Sequence, residues 1–264
     1  MKYIITFLAV ALLGCAAFAM GNPPPLPGVA EVQTKAQAEL TSLADELALV
    51  TAKRELDVNS DETIQRLKAI YAGHRSIVDI VTVNQAGYIE SVIPSTYERA
   101  VGQYIGDQEH VIRAMKSEQP VLGGMFKTVE GFYATSLIYP VFSLDKRVIG
   151  FISCVFKPDA LLGNIIKDYT TGGATIEVLA LQTDGRVIYS RDLLQIGKMT
   201  FTDPAYQTYT ELLSLAARIV KEPSGTGSYS FPSGSVGAPV RKAAQWTTIT
   251  LYGTEWRLLI SRTQ

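Results

Sequence analysis

Only two cysteines and two histidines occur in the 264 residues, and each scarcity removes a class of function. Once Cys15 is acylated or removed with a leader, Cys154 has no intramolecular disulfide partner, and its apolar run Phe151–Phe156 reads it as a small buried hydrophobe. His74 and His110 show no CxxC or HExxH spacing, so no metal site is expected. Charge of one sign is not in excess: 24 basic against 25 acidic residues leave a net −1, with no global field to recruit nucleic acid or an anionic membrane. Activated nucleophiles are missing too. There is no GxSxG elbow, Ser143-Leu144-Asp145-Lys146 falls on a strand-to-strand turn, and Gly225-Thr226-Gly227-Ser228 lacks the lysine of a phosphate loop. Neither enzymatic activity nor a cofactor is expected.

A long hydrophobic run is also absent. Tyr3–Leu13, after Lys2, is short of the roughly 20 apolar residues that span a bilayer and has the length of a signal-peptide core. Leu12-Leu13-Gly14-Cys15 resembles a lipobox, which makes residues 1–14 a signal peptide and Cys15 the lipidated first residue. Ala17-Phe18-Ala19 offers the alternative, cleavage after residue 19 by ordinary signal peptidase. The prolines of Asn22–Pro27 favour extended backbone, so residues 15–28 read as a tether. Either processing route places the protein outside the cytoplasm, on a cell surface or in a periplasm. With no second spanning run after the leader, the lipid is the expected membrane contact.

Residues 29–73 read as helices. Val29, Val32, Ala36, Leu40, Leu43, Leu47 and Val50 alternate steps of three and four, one stripe along a long helix. That stripe suits packing on the protein's own sheets, or a homodimer seam. Ser60 is a good N-cap, with Asp61 and Glu62 in the first turn of a second helix that stops near Gly73.

A repeat follows. Ile77–Val83, the turn Asn84-Gln85-Ala86-Gly87 and Tyr88–Ile93 form a hairpin, and Ile176–Leu181, Gln182-Thr183-Asp184-Gly185 and Arg186–Ser190 form another. Each is followed by an Ile-Gly pair, Ile105-Gly106 and Ile196-Gly197, then by a helix, about Asp107–Ser117 and about Asp203–Lys221. Further strands close each unit: Phe132–Phe142 and Val148–Phe156 in the first, Gly227–Phe231, Ala238–Leu251 and Trp256–Ser261 in the second. The order implies an α+β fold of two mainly antiparallel sheets, each with helices on one face, over units 74–160 and 161–264.

A long N-terminal helix followed by two such PAS-like units resembles the double Cache (PDC-type) sensor domains of microbial receptors. The matching pieces include Val83–Ile89, Ile105-Gly106, Pro120-Val121-Leu122, Tyr139-Pro140-Val141 and Val148–Ile152. In the second unit they are Gln182–Tyr189, Ile196-Gly197, Gly225–Tyr229 and Trp256–Ser261. The resemblance implies an extracytoplasmic sensor that holds a small metabolite in its first, membrane-distal unit, between the sheet and the loop and helix crossing it. A membrane receptor or another protein would be its signalling partner. Many members begin the crossing helix with Arg-x-aromatic-aromatic-x-x-Ala. Here Gln108 takes the arginine place, and His110 and Val111 take the aromatic places.

Other residues offer compensation. Tyr97 and Arg99 lie in the loop before the helix, and Tyr133 and Thr135 share one strand face by alternation. With Asp107, Gln108, His110 and Phe126 they would supply one cation, several hydrogen-bonding groups and aromatic walls, the usual make-up of a small-molecule site. The departure at Gln108 and Val111 supports an alternative: an interaction or regulatory subunit that keeps the fold and binds no ligand.

Overall fold

The long stripe is buried along its whole length. In the computed structural model, which describes residues 28–52, 58–128, 131–170, 176–232 and 237–264, helix α1 spans Val29–Thr51. Its Val32, Leu40, Leu43 and Leu47 are at most 1% exposed. The expected signal peptide, Cys15 and residues 15–27 of the tether lie outside the described residues. Helix α2, Asp61–Gly73, starts as its sequence suggests: the Ser60 hydroxyl accepts the Thr63 N–H at 3.3 Å. Among the described residues no helix is long and apolar enough to cross a membrane.

The first sheet contains β1 (Ile77–Asn84), β2 (Ile89–Ile93), β3 (Val121–Leu122), β4 (Phe126–Lys127), β5 (Tyr133–Phe142) and β6 (Val148–Phe156). Their spatial order is β2-β1-β6-β5-β3, with β4 also pairing β5, and every pairing is antiparallel. Helix α3 (Glu109–Ser117) crosses this sheet, and α4 (Pro158–Thr170) leads to the second one. That sheet comprises β7 (Ile176–Gln182), β8 (Val187–Ser190), β9 (Gly225–Pro232), β10 (Pro239–Leu251) and β11 (Thr254–Thr263), ordered β8-β7-β11-β10-β9 and again antiparallel throughout. Helix α5, Thr210–Ile219, crosses it.

The two units thus repeat one topology, and the Ile-Gly pairs show how. After each hairpin the chain returns to bridge the hairpin's own turn, Tyr88 to Tyr104 and Arg186 to Met199. Gly87 has φ 88°, and a Cβ there would lie 2.7 Å from the Gly106 Cα, so the returning chain requires glycine on both sides. Helix α5 starts later than the expected Asp203. The Asp203 carboxylate accepts the Ala205 N–H at 2.9 Å, and turn hydrogen bonds run from Tyr206 to Asp203, Gln207 to Pro204 and Tyr209 to Tyr206. Asp203 and Pro204 therefore begin a run of turns before the helix.

Alternation along the strands sends side chains to two cores. Ile80, Leu137, Tyr139, Val178 and Leu258 join the stripe of α1, together with α2 and α4, in one large cluster. On the other face α3 packs on the first sheet and α5 on the second, each with its own smaller cluster. Each sheet so carries its crossing helix on one face, and the N-terminal helices cover the other. Because α1 spends its stripe on its own chain, a homodimer through this helix would have to use its polar face.

One contact of α1 has the form of a ladder rung. Strand β10 pairs with β9 only as far as Trp246, leaving Thr248 and Thr250 beyond the partner's end. The Gln37 carboxamide donates to Thr250 O at 2.8 Å and accepts Thr250 N–H at 3.0 Å, and Gln33 donates to Thr248 O at 3.3 Å. Two glutamine side chains replace the missing neighbour strand.

Candidate functional site

On the crossing-helix faces the two units differ. In the first, Val111 and Ala114 of α3 are fully buried in one cluster with Val81, Val83, Ile138 and Phe151 of the sheet. In the second, α5 lies over β9, and its Leu215 and Ile219 meet Tyr229, Ala244, Trp246 and Leu259. Between α5, strand β7 and the short turn Leu193–Gln195 there is a cavity of about 770 Å³. This volume falls within the range of sites for small organic molecules.

The strand pleat decides what the cavity presents. On β7, Glu177, Leu179 and Leu181 share the face that Leu259 and Ser261 share on β11, and all five line the cavity, with Ile176 and Val178 of β7 also at its edge. Leu212 and Leu215 face them from α5. The polar groups at one end bind each other. Lys242, 1% exposed, donates from Nζ to Glu177 Oε2 at 2.5 Å and to Pro232 O at 3.1 Å. The Tyr229 hydroxyl donates to Ser261 Oγ at 3.1 Å, and burial pushes its pKa up to about 12. At the solvent side, exposed Arg191 is followed by Asp192, whose carboxylate accepts the Leu194 N–H at 3.1 Å. Leu193, also in the wall, is 72% exposed. Tyr206 belongs to the wall as well. It is 4% exposed, its ring centroid lies 6.1 Å from that of Phe231, and its buried hydroxyl has no hydrogen-bond partner among the described residues.

The first-unit residues singled out from sequence separate into two sets. His110, Phe126 and Thr135 gather around Gly123. The His110 and Phe126 rings stack at 5.7 Å and 10°, the His110 Cβ crowds Gly123, and the Thr135 hydroxyl donates to Gly123 O at 2.8 Å. Burial lowers the His110 pKa to about 4, against a smaller upward pull from Glu109, so the ring is neutral at physiological pH. Arg99, Asp107 and Gln108 are exposed, and Tyr97 is half-buried in the turn Ser95–Ala100. Gln108 occupies the N-cap position of α3 without a side-chain cap. Tyr133 instead faces the second unit: a Cβ on Gly197 would lie 2.0 Å from its ring. Gly197 begins the segment that carries Thr200 and Tyr206 into the cavity wall. The turn of the second hairpin also reaches the first unit, where the Gln182 carboxamide oxygen accepts the Met125 N–H at 2.8 Å.

Sequence reasoning missed the cavity residues, Glu177, Leu179, Tyr206, Leu212 and Tyr229 among them. Their only signal was position, on the second sheet's alternate face and in the turns before α5. Among the described residues no group of three or more His, Cys, Asp or Glu side chains is placed to hold a metal ion.

Residues 37–158 match the model of the HK/GC/chemotaxis protein-like sensor domain. Among solved structures, an extracellular ligand-binding receptor from Desulfohalobium retbaense is similar at TM-score 0.73 and 27% identity, over 89% of this chain and 39% of that one. The chain therefore spans well under half of that receptor's length. The ligand-binding domain of the Pseudomonas aeruginosa amino acid chemoreceptor PctB, in complex with L-Arg, is similar at TM-score 0.65 and 13% identity, over 89% of this chain and 92% of that one. The periplasmic sensory domain of the Campylobacter jejuni chemoreceptor Tlp1 is similar at TM-score 0.60 and 13% identity, over 89% and 92%. At such identities the last two likenesses are of fold. A search of curated proteins gives no match.

Proposed function

Since residues 37–158 match the model of the HK/GC/chemotaxis protein-like sensor domain, we propose that the chain is an extracytoplasmic ligand-binding sensor of double Cache type. It is held at a membrane by a lipid on Cys15 and acts on a receptor or another partner protein. It works by binding and catalyses no reaction. The observation that carries this reading is the cavity of about 770 Å³ in the second unit. A chain used only as a structural subunit has no need of such a space beneath a crossing helix, and packed interiors rarely keep one.

The route from occupancy to output follows from the contacts around the cavity. A ligand against α5 and the segment after Gly197 acts on a stretch of chain whose first residue lies beside Tyr133 of the first unit. It changes a partner only so far as it binds one arrangement of these elements more tightly than another.

A thermal-shift screen of the mature domain tests the reading with amino acids, short carboxylates, amines, purines, sugars and neutral apolar compounds. A ligand at about 100 times its dissociation constant stabilises by roughly 2.7 kcal/mol. The expected hit is lost in Leu212→Trp, which fills the cavity, and kept in Arg99→Ala and His110→Ala. A hit lost in the two first-unit variants and kept in Leu212→Trp would move the site to the first unit. No hit in any class would favour the ligand-free interaction subunit.

A further inference from the structure

We infer that the second-unit cavity takes an organic anion, a carboxylate with an apolar body, whose head is held by Arg191 at the cavity's solvent side. The inference rests on the proposed sensor role and adds the chemistry of its ligand. Three observations carry it.

First, the charged side chains of the wall are unequally engaged. Among the described residues three line the cavity: Glu177, Arg191 and Asp192. Glu177 Oε2 accepts from the Lys242 ammonium at 2.5 Å. Asp192 folds back on the turn Leu193–Gln195, where Oδ1 accepts the Leu194 N–H at 3.1 Å and Oδ2 the Gln195 carboxamide N–H at 3.5 Å. Arg191 forms no hydrogen bond or ion pair with any described residue. Its guanidinium therefore keeps its donors for a bound group, and its planar fork matches a carboxylate bidentately. Second, the body of the cavity is built from Leu179, Leu181, Val187, Leu212, Leu215 and Leu259, drawn from three strands and a helix. A ligand must present matching apolar surface to gain from them. Third, the cation stands where these two parts meet. Arg191 directly follows β8, whose Val187 belongs to the apolar lining, and it is exposed. A ligand seated between α5 and β7 thus keeps its carboxylate at the solvent edge beside a cation, and no charge is buried without a partner.

The test uses the intact mature chain and the neutral fluorophore N-phenyl-1-naphthylamine, displaced by three molecules of equal chain length: octanoate, 1-octanol and octylamine. Saturable fluorophore binding is expected, about tenfold weaker in Leu212→Trp. At neutral pH octanoate should displace it at concentrations about fivefold below octylamine. Arg191→Gln should weaken octanoate about fivefold and leave octanol unchanged within error, the size expected of one solvent-exposed ion pair. That difference should shrink as salt rises from about 20 to about 500 mM, since the pair is screened. Arg99→Gln, which removes a cation of the first unit, should change neither molecule. Octanoate binding that ignores Arg191→Gln, or octylamine displacing as well as octanoate, would overturn the ligand class while leaving the cavity and the sensor reading in place. Fluorophore binding that ignores Leu212→Trp, or none at all, would overturn the site itself. Leu215→Phe, a smaller filling of the same space, separates loss of binding from loss of fold should Leu212→Trp unfold.

Discussion

The hydroxyls of Tyr139 and Tyr252 lie 2.6 Å apart, and their single protons fix the direction of the bond. Tyr139 donates to the Ala44 carbonyl of α1 at 2.6 Å, so Tyr252 must be the donor to Tyr139. The rings meet edge to face at 5.8 Å. A strand of the first sheet, the β10–β11 turn of the second and the N-terminal helix are thereby joined at one buried oxygen, and burial raises the Tyr139 pKa well above the ordinary phenol value. Tyr252→Phe should cost about 1 kcal/mol and Tyr139→Phe about 2 kcal/mol of unfolding free energy, since the second loses both bonds. Urea denaturation of both variants and of the double variant checks this. Additive effects would show that the two hydroxyls do not act as a unit.

The ion pair beside the cavity predicts an asymmetry. Lys242 is 1% exposed on its side chain, whereas Glu177 is 40% exposed. Removing the carboxylate by Glu177→Leu strands a buried ammonium and should cost roughly 3 kcal/mol. Removing the ammonium by Lys242→Met leaves a carboxylate that water can reach, and should cost about 1 kcal/mol or less. Equal losses in chemical denaturation would mean that Glu177 contributes little to holding Lys242.

His110 predicts a pH dependence of definite sign. The unfolded chain protonates this ring near the ordinary 6.5, whereas burial holds the folded value at about 4. Between those values the unfolded state binds more protons, so stability rises with pH across the window. Acidification from the upper to the lower value should remove on the order of 2 to 3 kcal/mol, and the loss should level off below it. His110→Gln should remove this component, seen as a shallower pH profile of the urea midpoint. Identical profiles for the two proteins would exclude the ring as their source.

Cys154 is fully buried, and burial, aided by Asp79, pushes its thiol pKa up. Because the thiolate is the reactive form, an aromatic disulfide reagent should label no thiol at Cys154 in the native fold, and label it on unfolding in urea. Rapid native labelling at this position would mean that the β1–β6–β5 core opens locally.

The fold was legible wherever a pattern has one physical cause. The stripe of α1 follows from helical periodicity, and the hairpins follow from Gly87 and Gly185, whose φ of 88° and 89° few other residues adopt. Helix α4 has no counterpart among the sequence expectations. Its first residue is Pro158, tolerated at a helix start but equally at home in a loop. The cavity was illegible for a different reason. Leu179, Leu215 and Leu259 are the same residue types whether they meet a neighbour or a gap, and the gap arises from where α5 lies over the sheet. Of the first-unit residues, His110, Phe126 and Thr135 do converge, because strand alternation and helix position bring them to Gly123. Arg99 and Gln108 stay outside, since nothing in the sequence showed which way the turn and the helix start face.

The pairing of Gln33 and Gln37 with β10 makes the N-terminal helix a guard against self-assembly. An open strand end is a template for another chain, and here Thr248 and Thr250 would be its free rung positions. A protein shortened past Thr51 would lose part of its core and, with it, the cover of that edge. Its failure would then take the form of strand-to-strand polymerisation as well as unfolding, so the helix governs solubility along with stability.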